Sequence, residues 1–133
     1  MLLQRVRPPL RVLISDDDEG CRTSLADALE SRGYDVLAAG TGREAIEIAR
    51  RHELHVAILD VQMPDISGPE AATIIRREAR VRLPCILMSG GMTAEMLARQ
   101  YAAEYDSFLP KPVDLLHLRQ VVEELFKRYY EFD

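Results

Sequence analysis

No apolar run in the 133-residue chain approaches the roughly 18 residues needed to cross a bilayer, so no membrane contact is expected. The start, MLLQRVRPPLR, has one short apolar step and no signal-peptide core, which gives no indication of export. Positive charge is not in excess: 17 Lys and Arg against 22 Asp and Glu leave a net charge of −5. That balance argues against nucleic acid as a partner while leaving room for a local basic patch. Cysteine is scarce, and Cys21 and Cys85 lie in apolar contexts without metal-type spacing. They read as buried thiols of a protein in a reducing cytoplasm. His52, His55 and His117 have neither a paired carboxylate nor ligand spacing, and read as surface or packing residues. No internal repeat, low-complexity tract or flexible linker divides the chain, so one domain is expected over residues 11–130. Residues 1–10 read as a loose arm, and no separate output domain follows the last helix.

What is present is an alternation of short apolar runs and longer amphipathic segments. RVLIS (11–15), DVLAA (35–39), HVAILD (55–60), PCILMS (84–89) and DSFLP (106–110) read as strands. VAIL and CILM are apolar throughout, which suits strands buried on both faces of a parallel sheet. Helical patterns lie between them over residues 19–32, 42–51, 69–80 and 93–103, with Gly33 placed to end the first and Thr93 to cap the fourth. The last segment, 114–130, carries a stripe of Leu115, Leu118, Val122, Leu125 and Tyr129, widened by Leu116, Val121 and Phe126. Five strands alternating with five helices predict an α/β fold, a doubly wound parallel sheet with helices on both faces.

Ligands of such sheets bind beyond the carboxyl ends of the strands. There the first strand runs into Asp16, Asp17 and Asp18, the third ends in Asp60, the fourth in Ser89, and the fifth runs into Lys111. Two carboxylates about 4 Å apart repel by roughly 4 kcal/mol at an effective dielectric near 20, so either the side chains point into water or a cation sits among them. A set of hard oxygen donors without histidine fits Mg²⁺ rather than zinc or copper. Asp18 and Glu19 read as first-turn residues of a helix, and Pro64, Asp65 and Gly68 as shapers of the turn after the third strand.

The acidic pair in LISDDDE, the aspartate of AILDVQMPDISG, the serine of ILMSGG and the lysine of FLPKP are together similar to the receiver domain of two-component response regulators, over residues 10–130. The resemblance implies a flavodoxin-like (βα)5 sheet with strand order 2-1-3-4-5. It implies that Asp60 accepts a phosphoryl group from a histidine kinase or histidine phosphotransfer protein, with Mg²⁺ held by Asp17, Asp60 and the main-chain carbonyl of Gln62, and Asp16 acting through a water. Lys111, before a cis peptide bond to Pro112, and Ser89 would contact phosphoryl oxygens, with the Gly90 N–H accessible beside them. Ser89 and the aromatic Phe108 would act as the switch. Glu104 and Tyr105 stand where the family often has Gly-Ala, and serine stands at position 89 where threonine is commoner.

The leading expectation is a phosphorylation-dependent signalling switch that acts through altered contacts with an unidentified protein, with the apolar stripe of the last helix supporting such a contact or a homodimer. It is no enzyme beyond self-phosphorylation and slow self-dephosphorylation. Two alternatives stand beside it. One is a docking module that never takes phosphate. The other is a phosphohydrolase with an aspartyl-phosphate intermediate, disfavoured because Gln62 occupies the place of the general acid two residues after the nucleophile.

Overall fold

A computed structural model of the chain describes residues 3–101 and 105–132. In chain order the elements are β1 (Gln4–Val6), β2 (Arg11–Ser15), α1 (Glu19–Glu30), β3 (Asp35–Ala39), α2 (Gly42–Arg51) and β4 (Val56–Asp60). There follow α3 (Gly68–Glu78), β5 (Cys85–Ser89), α4 (Ala94–Gln100), β6 (Ser107–Pro110), α5 (Leu115–Tyr129) and β7 (Tyr130–Phe132). The main sheet has the order β3-β2-β4-β5-β6 and is parallel throughout. It is the expected doubly wound sheet, and counting only its own five strands the order is the expected 2-1-3-4-5.

Strand residues alternate between two hydrophobic cores, as the period of two requires. Val12, Ile14, Val56, Ile58, Ile86 and Met88 face α1 and α5, while Leu13, Ala57, Leu59, Cys85 and Leu87 face α2, α3 and α4. Both faces are covered, which is why the runs carry no polar alternation. Each fully buried Leu or Ile contributes about 1.5–3 kcal/mol, so this central layer is the main source of stability.

Helix starts follow from local chemistry. Asp18, Thr41, Ser67, Thr93 and Asp114 each cap a helix, their side-chain oxygens accepting backbone N–H groups of the first turn. Past the end of α1 the chain turns through Gly33 at φ 91°, a conformation that a side chain would strain.

Two expectations are corrected. The supposed loose arm contains β1, which pairs in parallel with β7, and it buries Val6 and Leu10 in the core. The stripe of α5 is mostly spent on that core: Leu118, Val122, Leu125 and Phe126 are buried, and only its first turn, Leu115 and Leu116, is left exposed. The last residues expected in the fourth helix, and Glu104 of the family departure, lie outside the described residues; Tyr105 packs partly buried on the core of α2, α3 and α4.

Candidate functional site: an acidic pocket closed by one lysine

The pocket forms where β2, β4, β5 and β6 end. Asp16 follows β2 directly; its N–H donates to Ala39 O at 3.0 Å, and the carboxylate is fully buried. Its Oδ1 accepts the Asp18 N–H at 2.9 Å, and its main-chain carbonyl accepts Arg22 Nη1 at 2.7 Å. Asp60 ends β4 and is nearly buried, with Oδ1 accepting the Gln62 N–H at 3.2 Å. Lys111 enters from beyond β6, anchored by its N–H to Ser89 O at 2.9 Å and followed by a cis peptide bond to Pro112.

One ammonium serves both acids. Lys111 Nζ lies 2.7 Å from Asp60 Oδ2 and 2.7 Å from Asp16 Oδ2. Only the Asp60 contact is aligned as a hydrogen bond, so Asp16 Oδ2 is buried with charge beside it and no hydrogen-bond donor. Such an atom wants a further partner. Asp16, Asp17 and Asp60 each bring a carboxylate oxygen within 4.8 Å of the others, with Asp17 at the exposed mouth. Three carboxylates and an orphaned oxygen, with no nitrogen or sulfur ligand in the group, fit a hard divalent cation such as Mg²⁺.

The two buried acids differ electrically. Burial pushes Asp16 up, but the Lys111 interaction, with the Cys21 thiol and the Asp18 N–H, outweighs it and holds the carboxyl below its usual range. Burial pushes Asp60 up as well, and there Lys111 and the Gln62 N–H do not outweigh it, with Asp16 adding its own repulsion. Asp60 therefore sits above the usual carboxylate range. For Lys111, burial disfavours the charged form, but the two carboxylates dominate and keep the ammonium charged. Burial and the neighbouring Asp16 push the Cys21 thiol up to about 12, which leaves it a packing group, not a nucleophile.

Ser89 ends β5, 2% exposed, and its Oγ accepts the N–H groups of Gly91 at 3.1 Å and Met92 at 3.0 Å. The hydroxyl hydrogen remains available to donate. Phe108 is half-buried on β6, against the core of α2, α3 and α4. Gln62 is exposed beside Asp60.

The loop after β4 is fixed by contacts that spacing does not announce. Gly68 passes so close to the Asp60 carbonyl that a Cβ there would lie 2.2 Å from the oxygen. Asp65 reaches across to α2, its carboxylate accepting Gly42 N–H at 3.0 Å and Arg43 N–H at 2.8 Å. Ser15 Oγ donates to Met63 Sδ at 2.9 Å. Of these, the turn chemistry of Asp65 and Gly68 was legible; the roles of Arg22, Cys21, Ser15 and Met63 were not.

A doubly wound sheet whose carboxyl edge gathers two buried aspartates, a third at the mouth and one shared lysine defines a class of α/β domains with an acidic site at the sheet edge. Comparison with known proteins places this chain within that class: residues 12–123 match the response regulator receiver domain, and the chain belongs to that family. Among curated relatives it is 32% identical over 124 residues to the transcriptional regulatory protein PdtaR of Mycobacterium tuberculosis, covering 92% of this chain and 60% of that one. It is 31% identical over 114 residues to the CAI-1 autoinducer sensor kinase/phosphatase CqsS of Vibrio cholerae, covering 84% of this chain and 17% of that protein. The chain thus spans less than two thirds of either relative. Among solved structures, chemotaxis protein CheY4 of Vibrio cholerae superposes with a TM-score of 0.79 at 26% identity, covering 87% of this chain and 98% of that one. Response regulator TrrA of Thermotoga maritima, in complex with Mg²⁺-BeF, gives a TM-score of 0.77 at 28% identity over 87% of this chain and 98% of that one. The protein is a two-component receiver domain with an acidic cluster compatible with Mg²⁺ and phosphorylation.

Proposed function

We propose that the protein is a cytoplasmic phosphorylation switch in which Asp60 accepts a phosphoryl group from a phosphohistidine of a kinase or phosphotransfer protein. The observation that carries this reading is the single ammonium of Lys111 held 2.7 Å from each of two buried carboxylates, one of which keeps an oxygen without a donor. Asp60 Oδ would attack phosphorus; the new P–O bond forms as the P–N bond to the imidazole breaks, and that electron pair returns to the ring nitrogen. Most of the work is positioning and charge neutralisation, because phosphoryl transfer runs through a state with charge spread over the equatorial oxygens.

The residues divide that work. Asp16, Asp17, Asp60 and the main-chain carbonyl of Gln62 would hold Mg²⁺, which when bound neutralises charge on the phosphoryl oxygens. Lys111 follows the new negative charge and contacts a phosphoryl oxygen as a point charge. Ser89 donates its free hydroxyl hydrogen to another. Drawing Ser89 inward strains its bonds with Gly91 and Met92, so the loop before α4 shifts and Phe108 turns into the space released. The changed surface would include Met96 of α4 and Leu115 and Leu116 of α5, all exposed, and would meet a protein partner or a second copy. Gln62 carries no transferable proton, so hydrolysis of Asp60 phosphate should be slow and turnover of external phosphomonoesters negligible.

The test is Mg²⁺-dependent binding of beryllofluoride to the protein and to Asp60→Asn. Saturable binding in the first and none in the second is the expected result. An intact fold that binds neither Mg²⁺ nor beryllofluoride would reassign the pocket to a docking module without phosphate chemistry.

A further inference from the structure

Ser15 is the polar member of a run that is otherwise apolar: Val12, Leu13, Ile14 and Ser15 of β2 are all fully buried. A hydroxyl in that place needs a partner, since burying one without a hydrogen bond costs about 1–3 kcal/mol. Alanine or valine would need none. The partners of Ser15 lie outside its own strand. Its Oγ is 2.9 Å from Met63 Sδ and 3.3 Å from Thr41 O, with a single hydrogen to share between them. The Thr41 carbonyl alone would satisfy a buried hydroxyl. It does not account for the closer approach of the sulfur, which is the weaker acceptor.

The neighbours of these residues give the contact its meaning. Ser15 precedes Asp16, whose Oδ2 is buried without a hydrogen-bond donor. Met63 follows Gln62, whose N–H donates to Asp60 Oδ1 at 3.2 Å and whose carbonyl is assigned to the metal. Thr41 caps α2, and the next two N–H groups, of Gly42 and Arg43, donate to Asp65 in the same loop as Met63. The loop after β4 is thus fastened to α2 by Asp65 and to β2 by Ser15. Mg²⁺ demands near-ideal octahedral geometry, so a shift of the Gln62 carbonyl relative to Asp16 is read out as lost affinity.

We propose that Ser15 is a positioning residue of the acidic pocket, its hydroxyl holding Met63, and with it the Gln62 carbonyl, in register with Asp16 for a shared Mg²⁺. The proposal rests on the reading that Mg²⁺ occupies this pocket. It gives Ser15 no contact with the ion.

The test compares Ser15→Thr with Ser15→Val in the full chain, titrated with Mg²⁺ alone and followed by NMR at the Asp17 and Gln62 amides. The two side chains have the same shape and both suit a strand, so crowding by the added methyl is common to them and only the hydroxyl differs. Ser15→Thr should bind Mg²⁺ within about twofold of the parent protein and Ser15→Val about tenfold more weakly, as when a ligand loses its supporting partner. The two should unfold at closely similar temperatures, because the methyl gained offsets the modest hydrogen bond lost. A serine with only a structural role would move stability and leave Mg²⁺ affinity alone. Met63→Leu removes the sulfur from a half-buried loop position and should weaken Mg²⁺ binding to a similar extent. The double variant Ser15→Val, Met63→Leu should then bind no more weakly than either single one. Equal affinity of the threonine and valine variants, equal loss in both, or losses that multiply in the double variant would overturn the proposal and leave the phosphorylation reading standing. A parent protein that binds no Mg²⁺ would overturn both.

Discussion

Two aspartates of this protein are buried at opposite edges of one sheet, and they are treated in opposite ways. Asp60, at the carboxyl end of β4, has one backbone donor and half of a shared lysine, and burial leaves its carboxyl raised. Asp106, just before β6, is saturated: its carboxylate accepts from Arg76, from Arg82 at 3.2 Å, from the Cys85 N–H at 2.9 Å and from the Tyr129 hydroxyl at 2.5 Å. Burial works to raise Asp106 too, but these donors outweigh it and hold it below its usual range. A buried charge is tolerated when it is fully paired and is available for chemistry when it is not. Asp106 joins α3, β5, β6 and α5 into a fixed base; Asp60 stands at the edge where something can still bind.

The largest effect should come from breaking the saturated member. Asp106→Ala leaves Arg76, the Cys85 N–H and the Tyr129 hydroxyl without their shared acceptor, and should cost about 3–5 kcal/mol in urea unfolding at neutral pH. An aspartate held below its unfolded value adds stability above that value and loses it as pH falls through the folded one. The difference between wild type and Asp106→Ala should therefore narrow as pH drops below about 4, and a difference that stayed constant would deny the aspartate its charge-based role.

An intermediate effect tests how tightly the open member is built. Alanine at a helix start is ordinarily favoured over glycine by up to about 1 kcal/mol. At Gly68 the added Cβ would strike the Asp60 carbonyl, and overpacking of this kind costs about 1–3 kcal/mol. Gly68→Ala should lower stability and also displace Asp60 enough to weaken beryllofluoride binding; a stabilised variant with unchanged binding would show that the loop has slack.

The smallest effect is predicted at Asp60 itself. Asp60→Asn removes a carboxylate whose charged form the fold disfavours, and leaves Lys111 paired with Asp16. Thermal unfolding should show a change within about 1 kcal/mol, towards greater stability. A loss comparable to that of Asp106→Ala would erase the contrast between the two sites.

How far the sequence could be read follows the same division. The strands of the main sheet were legible to within a residue, because each apolar run is bounded by charged or turn-forming residues, as VAIL is by His55 and Asp60. The pocket was legible because its members stand at strand ends, and strand ends converge in space whatever lies between them. Asp106 was not, since its partners Arg76, Arg82 and Tyr129 are more than twenty residues away and each looks like an ordinary surface residue. β1 and β7 escaped notice for a related reason. QRV and YEF are too short to show a period, and they find each other across almost the whole chain. Periodicity likewise grouped Leu115 and Leu116 with the stripe of α5, but it reports which residues share a face, not whether anything covers that face at its first turn.

The pairing of β1 with β7 has a mechanical consequence. Because the strands run parallel, Gln4 beside Tyr130 and Val6 beside Phe132, the chain enters the ribbon at one end and leaves it at the other. Tension applied between the termini therefore slides the two strands along each other and loads their hydrogen bonds together, instead of opening them one after another. Buried Val6 and Tyr130 resist the same sliding. A three-residue ribbon thus acts as a shear clamp, and any pull on the two ends is borne there before it reaches the sheet that carries Asp60.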